Sequence, residues 1–265
     1  MSYERVMRLA LEKGFFFPSS EIYSGPAGFW DYGPLGLGLR NKFVDLWRRE
    51  IIRKDGMLEI DGSQIMPKDV FRASGHIDSF ADPVVRCKKC GSIFRADKLV
   101  SEKTKTSVTE GSSRRELDTL IRKNRIRCSK CGSELGETKK FNLMLKVEIG
   151  GDKEEAYLRP ETCQSIFVDF QRIHKVMRGK LPLAIAQFGK SFRNEISPRQ
   201  SIVRLREFYQ CEIEIFFNPN QNKNFQKFKG VYEKELRVCL DGKHTRGITC
   251  SELLKKGILP NQMIA

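Results

Sequence analysis

The 265-residue sequence lacks the features that mark several broad classes of protein. It has no apolar run near the roughly 20 residues that a membrane-spanning helix needs. Residues 1–5 do not begin an apolar signal-peptide core. Histidine is scarce, at 3 residues, and there is no internal repeat or low-complexity tract. We therefore predict a cytosolic protein with no membrane partner, built as one large domain with an insertion or as two modest domains.

Acidic residues are also few in comparison with basic residues. The 33 Asp and Glu residues stand against 48 Lys and Arg residues, so the formal net charge is +15. This excess favours an acidic partner such as nucleic acid. A basic surface without such a partner is an equal alternative, because charge alone does not distinguish the two. The 8 cysteines of a cytosolic chain do not indicate a disulfide framework.

Four of the cysteines form two C-x-x-C-G turns, one at Cys87 and Cys90 and one at Cys128 and Cys131. The glycine permits the tight turn, and four thiolates suit a tetrahedral structural zinc ion. About 37 residues separate the turns, more than in most zinc ribbons. This length predicts an inserted helical hairpin over roughly residues 110–125. Free or redox-active thiols are the alternative. The remaining cysteines are interpreted as small core residues.

The N-terminal part of the chain predicts a helix that ends near residue 13, before a glycine-rich passage over residues 25–38. This passage matches neither a P-loop nor a G-x-G-x-x-G turn. Apolar residues then recur at helical spacing and predict packing against the core or against a second subunit: Leu35, Leu39, Phe43, Leu46, Trp47 and Ile51. A strand is expected after Gly56, and a basic helical stretch over residues 225–237.

Residues 191–199 and 202–215 predict two strands joined by a charged loop. Because side chains alternate in a strand, one face carries Arg204, Arg206, Phe208, Gln210, Glu212 and Glu214. The other face is apolar except for Glu207, and carries Val203, Leu205, Tyr209, Cys211, Ile213 and Ile215. Guanidinium groups, one ring and carboxylates in a row indicate a site for an anionic ligand with a planar base.

The rise per residue of a strand gives the distance between the two ends of this predicted site. Phe208 and Glu212 are about 13 Å apart along an extended strand, close to the span from an adenine ring to an ammonium group across a ribose and one phosphate. Arg193 on the facing strand would lie near that phosphate. Glu161 follows Pro160 at a predicted strand-to-helix junction. It either adds a third carboxylate to the predicted ligand site or only interacts favourably with the dipole of the following helix. The layout predicts an aminoacyl adenylate, or ATP beside an amino acid.

These motifs resemble those of the glycyl-tRNA synthetase family of the archaeal and eukaryotic dimeric type, within the class II aminoacyl-tRNA synthetases. The segments that carry the resemblance run almost end to end: 20–23, 32–36, 74–76, 80–83, 94–97, 159–162, 192–199 and 204–208. The last two match motif 2 of the class. The helix over residues 35–52 and the strand reaching Pro67 correspond to motif 1, which builds the dimer interface in the family.

The resemblance implies a role for each matching residue. Arg193 and Glu195 are the expected catalytic residues, with Arg193 on the α-phosphate of ATP. The expected ATP-binding residues are Arg193, Asn194, Glu195, Arg204, Leu205, Arg206, Glu207, Phe208 and Tyr209. The expected glycine-binding residues are Arg95, Glu161, Phe208, Gln210 and Glu212. Arg199, in the motif 2 loop, would face the acceptor end of tRNA(Gly).

The implied fold is α+β: a partial class II catalytic core with an antiparallel sheet and an inserted zinc-ribbon-like module. Residues 1–83 and 141–265 would form the core, and residues 84–140 the insertion. The implied reaction activates glycine with ATP and Mg²⁺ and transfers it to tRNA(Gly), with Zn²⁺ in a structural role.

One part of the family pattern is missing. No motif 3 and no anticodon-binding domain follow Phe217. We therefore expect the N-terminal half of a split glycine–tRNA ligase, active with a complementary C-terminal chain and assembled as a dimer of the two-chain unit. A truncated piece of a longer chain is one alternative. A non-catalytic synthetase-like module that binds RNA or protein through its basic insertion is another.

Overall fold

The computed structural model describes residues 2–105, 108, 112–196, 198, 201–221, 226–240 and 243–261. The chain forms two compact units. The first comprises Met1–Phe170 and Ala186–Ile213, and the second comprises Gln171–Ile185 and Glu214–Ala265. Among the helices in the described ranges, none has the length and apolar character needed to cross a bilayer. The predicted domain boundaries, after residues 83 and 140, stay predictions.

The N-terminal region contains the predicted helix and the glycine-rich passage. Helix α1 begins after Ser2, whose hydroxyl accepts a hydrogen bond from the Arg5 amide at 3.4 Å. Gly33 caps the next long helix, and Pro34 occupies its first turn. The elements are α1 (Tyr3–Glu12), β1 (Phe16–Pro18), β2 (Trp30–Tyr32) and α2 (Pro34–Trp47), which continues as a π-helix over Arg48–Arg53.

The apolar stripe of α2 is divided between the core and the surface. Trp47 packs with Ile52 and Ala186 in a buried cluster. The other stripe residues are exposed by 39–61% of their surface: Leu35, Leu39, Phe43, Leu46 and Ile51. Packing of the stripe within this chain is therefore confirmed only at Trp47. The exposed remainder is the part that a second subunit could cover.

The inserted region has its own core. Its elements, with the short segments that lead to it, are β3 (Leu58–Ile60), β4 (Ile65–Pro67), α3 (Lys68–Ala73), α4 (His76–Ser79), β5 (Ala81–Arg86), β6 (Ile93–Arg95), α5 (Ala96–Thr104), α6 (Arg114–Lys123) and β7 (Lys139–Asn142). Strand β5 lies between β6 and β7 in an antiparallel sheet. Helices α5 and α6 bury Val100 and Leu117 against Val85 of that sheet. The prediction of a hairpin within residues 110–125 is wrong: the described residues of that range form the single helix α6, and the preceding helix α5 ends at Thr104. Residues 110–111 lie outside the described residues.

Two further sheets carry the segments that resemble the family after residue 145. The elements of this region are the strands β8 (Leu145–Ile149), β9 (Glu154–Leu158), β10 (Leu183–Phe192) and β11 (Glu207–Phe216) and the helix α7 (Cys163–Val176). The strand orders are β4-β9-β8 and β11-β10-β3. The return strand begins at Glu207, five residues later than expected, because residues 201–203 form a 3₁₀ turn. Val203 is consequently 66% exposed, and its predicted place in the core is wrong.

The second unit ends the chain. Strands β12 (Glu235–Leu240) and β13 (Lys243–Thr249) form an antiparallel pair. Helix α8 (Cys250–Lys255) follows, with a capping box between Thr249 and Glu252. The predicted basic helix over residues 225–237 is wrong, since its C-terminal part lies in β12.

Two glycines of α2 provide a test of the packing around β1. A Cβ on Gly36 would overlap the backbone carbonyl of Phe15, whereas a Cβ on Gly38 has no heavy atom within 4 Å. We expect Gly36→Ala to lower the free energy of unfolding by at least ~1 kcal/mol, because backbone must move. Gly38→Ala should raise it by up to ~1 kcal/mol through helix propensity. Urea unfolding followed by circular dichroism would measure both, and equal effects of the two substitutions would contradict this packing.

Candidate functional site

The junction between β9 and α7 presents Glu161. The strand ends at Leu158, and the helix begins at Cys163. Oε1 of Glu161 accepts hydrogen bonds from Nε2 of Gln164 at 2.8 Å and from Sγ of Cys163 at 3.2 Å. Burial raises the pKa of this carboxyl, but these hydrogen bonds and the charges of His76 and Arg193 outweigh burial, so its pKa lies below the usual value. Glu161 is therefore held as a carboxylate.

Arg159 stabilises this junction through hydrogen bonds to neighbouring segments. Its guanidinium is fully buried and donates to the carbonyl oxygens of Lys190 and Gly62, each at 2.8 Å. Its backbone amide bonds to the Gln64 carbonyl, and its own carbonyl accepts from the Phe192 amide, both at 2.9 Å. The side chain therefore ties the end of β9 to β10 and to the segment before β4. Sequence analysis placed Arg159 within a motif but did not identify this structural role.

Glu212 on β11 is fixed by Thr162. Oε2 of Glu212 accepts the Thr162 backbone amide at 3.0 Å and also accepts the Thr162 hydroxyl. Thr162 is fully buried, so both donors are rigidly placed. Because Thr162 adjoins Glu161, the two carboxylates predicted to bind glycine lie at the same junction. The structure thus brings together Glu161 and Glu212, which are 51 residues apart in sequence.

Arg193 and Phe208 stand beside these carboxylates. Nε of Arg193 donates to the Pro160 carbonyl at 3.1 Å, and Nη2 lies 4.0 Å from Oε2 of Glu161. Its guanidinium carbon is 5.3 Å from the centre of the Phe208 ring and 5.4 Å from that of Phe80. A cation, a flat ring and a carboxylate thus share one surface.

The loop after β10 is braced by Arg206. Its guanidinium donates to the Glu195 carbonyl at 2.8 and 3.1 Å and to the Ala27 carbonyl at 2.7 Å. Arg204 instead lies 3.9 Å from the Glu195 carboxylate. The Asn194 amide bonds to the Leu143 carbonyl at 2.7 Å. Arg206 therefore shapes the loop through backbone contacts, a role that the sequence pattern did not indicate.

Three predicted ATP-binding side chains do not share the surface of Phe208. Tyr209 stacks on Phe188 with ring centres 5.3 Å apart, and Glu207 forms an ion pair with Lys190. Leu205 is buried. On the Phe208 side of β11, Gln210 accepts a hydrogen bond from the Ser191 hydroxyl at 2.6 Å. Arg199 lies outside the described residues.

Arg95 of the insertion contacts two carboxylates. It lies 3.1 Å from Asp82 and forms two hydrogen bonds with Asp97, at 2.6 and 3.1 Å. Burial raises the pKa of Asp82, the Arg95 charge opposes this shift, and the charges of Asp97 and Glu195 reinforce it. Arg95 is therefore occupied by carboxylates that lie near the Glu195 side of the site.

His76 is the contact that sequence analysis missed. The sequence pattern places it only within the segment of residues 74–76, yet its Nε2 lies 3.1 Å from Oε1 of Glu161. The two residues are 85 positions apart, so no local pattern could have linked them.

The four cysteines of the C-x-x-C-G turns converge. Their sulfur atoms all lie within 4.8 Å of one another. Gly91 and Gly132 adopt φ values of 70° and 71°, which glycine tolerates at no steric cost. The sequence prediction that the two turns form one cluster is confirmed.

Comparisons with known proteins agree with this geometry. The tRNA synthetase class II core domain (G, H, P, S and T) matches residues 145–250, which include Glu161, Arg193 and Glu212. The chain belongs to the class II tRNA synthetases. Curated relatives over 99% of its length are the glycine–tRNA ligases of Methanocaldococcus jannaschii, at 47% identity, and Pyrococcus abyssi, at 46%.

The relatives are longer than this class II synthetase chain. It covers 47% of both the M. jannaschii and the P. abyssi protein, so it spans about half the length of the curated relatives it matches. A solved structure described as the RNA binding domain of threonyl-tRNA synthetase from Cryptosporidium parvum matches at a TM-score of 0.51. That match covers 84% of this chain and 39% of the other at 21% identity, and it therefore supports the fold alone.

The lowered pKa of Glu161 predicts a pH dependence of stability. The stabilising contribution of the carboxylate is present above the unfolded value of 4.5 and is lost as the pH falls through the lower folded pKa. Glu161→Gln should therefore reduce the melting temperature most at pH values above 4.5, and the difference from the unmodified chain should shrink as the pH falls below 4.5. Glu148→Gln, at an exposed carboxylate of β8, controls for the lost charge. A difference that widens in acid would contradict the shift.

Proposed function

We propose that this chain provides the glycine- and ATP-binding part of a glycine–tRNA ligase. The observation that carries the proposal is the junction at which Thr162 joins the carboxylates of Glu161 and Glu212 beside Arg193. Two carboxylates suit the ammonium group of an amino acid, and a guanidinium suits a phosphate. The relatives named glycine–tRNA ligase support the choice of amino acid.

The reaction would proceed by positioning and charge stabilisation. The carboxylate of glycine attacks the α-phosphate of ATP, the bond to the β-phosphate breaks, and pyrophosphate leaves. Arg193 would stabilise the negative charge that develops on the α-phosphate, and Phe208 would stack on adenine. Asn194, Glu195 and Arg204 would contact the nucleotide. Mg²⁺ bound with ATP would neutralise the leaving group, and we assign none of the described residues to it.

Selection of glycine would depend on exclusion. Glycine has no side chain to bind, so a rigid pocket must reject larger amino acids by steric overlap. Glu161 and Glu212 are both held by hydrogen bonds from residues 162–164, which gives such a pocket fixed walls. The adenylate would then transfer glycine to the terminal ribose of tRNA(Gly), with Arg199 near the acceptor end.

The remaining length of the relatives would complete the enzyme. Motif 3 and the anticodon-binding domain would come from that part, either on a complementary C-terminal chain or on the same polypeptide. The exposed residues of the α2 stripe, such as Leu39 and Phe43, would form the contact between two copies. The complete enzyme would act in the cytoplasm.

Glycine-dependent exchange between ATP and pyrophosphate tests the proposal. The chain is assayed alone and together with the part of the M. jannaschii relative that it does not span. We expect exchange in the combined sample, and we expect Glu212→Gln to lower kcat/KM for glycine at least about tenfold, or ~1.4 kcal/mol, because an ammonium-binding charge is lost. Glu148→Gln is the matched control.

The outcomes separate the two candidate functions. A Glu212→Gln variant that keeps the glycine dependence of the unmodified chain would remove the carboxylate pair from the proposal. Absence of exchange in every combination, together with salt-sensitive retention of RNA by the chain, would favour the non-catalytic RNA-binding module.

We propose that the four-cysteine cluster binds one structural zinc ion, as in a zinc ribbon. Four convergent thiolates, with no fifth ligand in the cluster as the described residues form it, suit a closed tetrahedral site. Metal analysis after dialysis should find about one zinc per chain, and Cys90→Ser should lose most of it and lower the melting temperature. Cys239→Ser, at an exposed cysteine of β12, should change neither. A chain that contains no zinc and melts identically with a chelator would refute the site.

A further inference from the structure

The hydrogen bonds that described residues make to the side chain of Glu161 all meet at one oxygen, Oε1. Oε1 accepts from Gln164 at 2.8 Å, contacts Nε2 of His76 at 3.1 Å and accepts from Sγ of Cys163 at 3.2 Å. Oε2 faces Arg193 at 4.0 Å, beyond hydrogen-bond distance. The protein therefore fixes one oxygen of the carboxylate and leaves the other directed at the space beside Arg193.

His76 is the one donor in this set that does not come from α7. Gln164 and Cys163 lie in the first turn of the helix that follows Glu161. His76 begins α4, an element that is remote from α7 in sequence. The torsion at the end of a Glu side chain is broad, so each donor that is held by a separate element further restricts rotation of the carboxylate plane.

His76 is itself held in one orientation. Nδ1 lies 2.8 Å from the Ser74 hydroxyl, and the ring packs against Phe71 and Phe80 at centre distances of 6.3 and 5.4 Å. Its side chain is only 16% exposed. Because Nε2 faces a carboxylate, the hydrogen-bond network assigns a proton to Nε2, and Nδ1 shares a hydrogen bond with the Ser74 hydroxyl. The donor that reaches Glu161 is therefore pre-oriented.

We propose that His76 is a positioning residue for glycine: it orients Glu161 so that Oε2 receives the ammonium group. The inference rests on the proposed function, because it needs glycine as the ligand of Glu161. It assigns no contact between His76 and substrate. Loss of the donor should weaken glycine binding and leave ATP binding intact. The reason is that, among the described residues, neither Phe208 nor the loop of residues 193–206 forms a hydrogen bond or a ring contact with His76.

Two substitutions at one position separate hydrogen bonding from packing. His76→Phe keeps an aromatic ring against Phe71 and Phe80 but removes the donor. His76→Gln replaces the ring with an amide that can donate from a similar distance. We expect His76→Phe to raise KM for glycine about tenfold, with KM for ATP unchanged, and His76→Gln to recover most of the loss. His244→Phe, at an exposed histidine of β13, is the control.

The assay is glycine-dependent ATP–pyrophosphate exchange by the complete enzyme, with melting temperatures recorded for each variant. Unchanged KM for glycine in a folded His76→Phe variant would overturn the inference. An equal rise in both KM values, with no recovery in His76→Gln, would also overturn it, because that result indicates a general structural role. If the unmodified protein gave no exchange, the proposed function itself would fail and the inference with it.

Discussion

The burial of one guanidinium determines how the site is assembled. Arg159 is fully buried, and removing a charge from water costs several kcal/mol unless hydrogen bonds replace its hydration. Carbonyl oxygens of Lys190 and Gly62 replace the hydration of Nε and Nη1, and Gln187 also accepts from Nη1 at 2.6 Å when its amide is oriented to satisfy its neighbours. Nη2 has no hydrogen-bond partner among the described residues. The partners of Nε and Nη1 come from separate segments. These hydrogen bonds fix the position of the end of β9, and they thereby also fix the positions of Glu161 and Thr162, which follow it.

Two carboxylates lie close together at this strand end. The fold gives each its own donors: residues in the first turn of α7 bind one oxygen of Glu161, and Thr162 binds one oxygen of Glu212. Arg193 adds a positive charge on the same surface. Such a set of charges suits the ammonium group and the phosphate of the proposed ligands, and the proposed reaction needs no protein nucleophile.

The region from β5 to β7 packs around a buried cluster of its own. Val85, Val100 and Leu117 belong to this cluster, and the four cysteines converge at the two C-x-x-C-G turns of the same region. The pair formed by Arg95 and Asp82 connects the region to the site, since the charge of Glu195 acts on the pKa of Asp82. A region with its own core can accommodate many residues, because they do not have to pack against the sheet that carries Glu212.

The sequence by itself determined the features that depend on neighbours along the chain. Strand alternation placed Phe208, Gln210 and Glu212 on one face and Tyr209 on the other, and turn chemistry paired the cysteines into two turns. Alternation misplaced Val203 because a 3₁₀ turn, which local pattern did not reveal, delays the start of β11. Only the tertiary structure decided that His76 contacts Glu161, that Arg206 braces the loop and that Arg159 is buried. The physical reason is that helix and strand periods act over a few residues, whereas these hydrogen bonds join segments whose proximity depends on how the sheets pack.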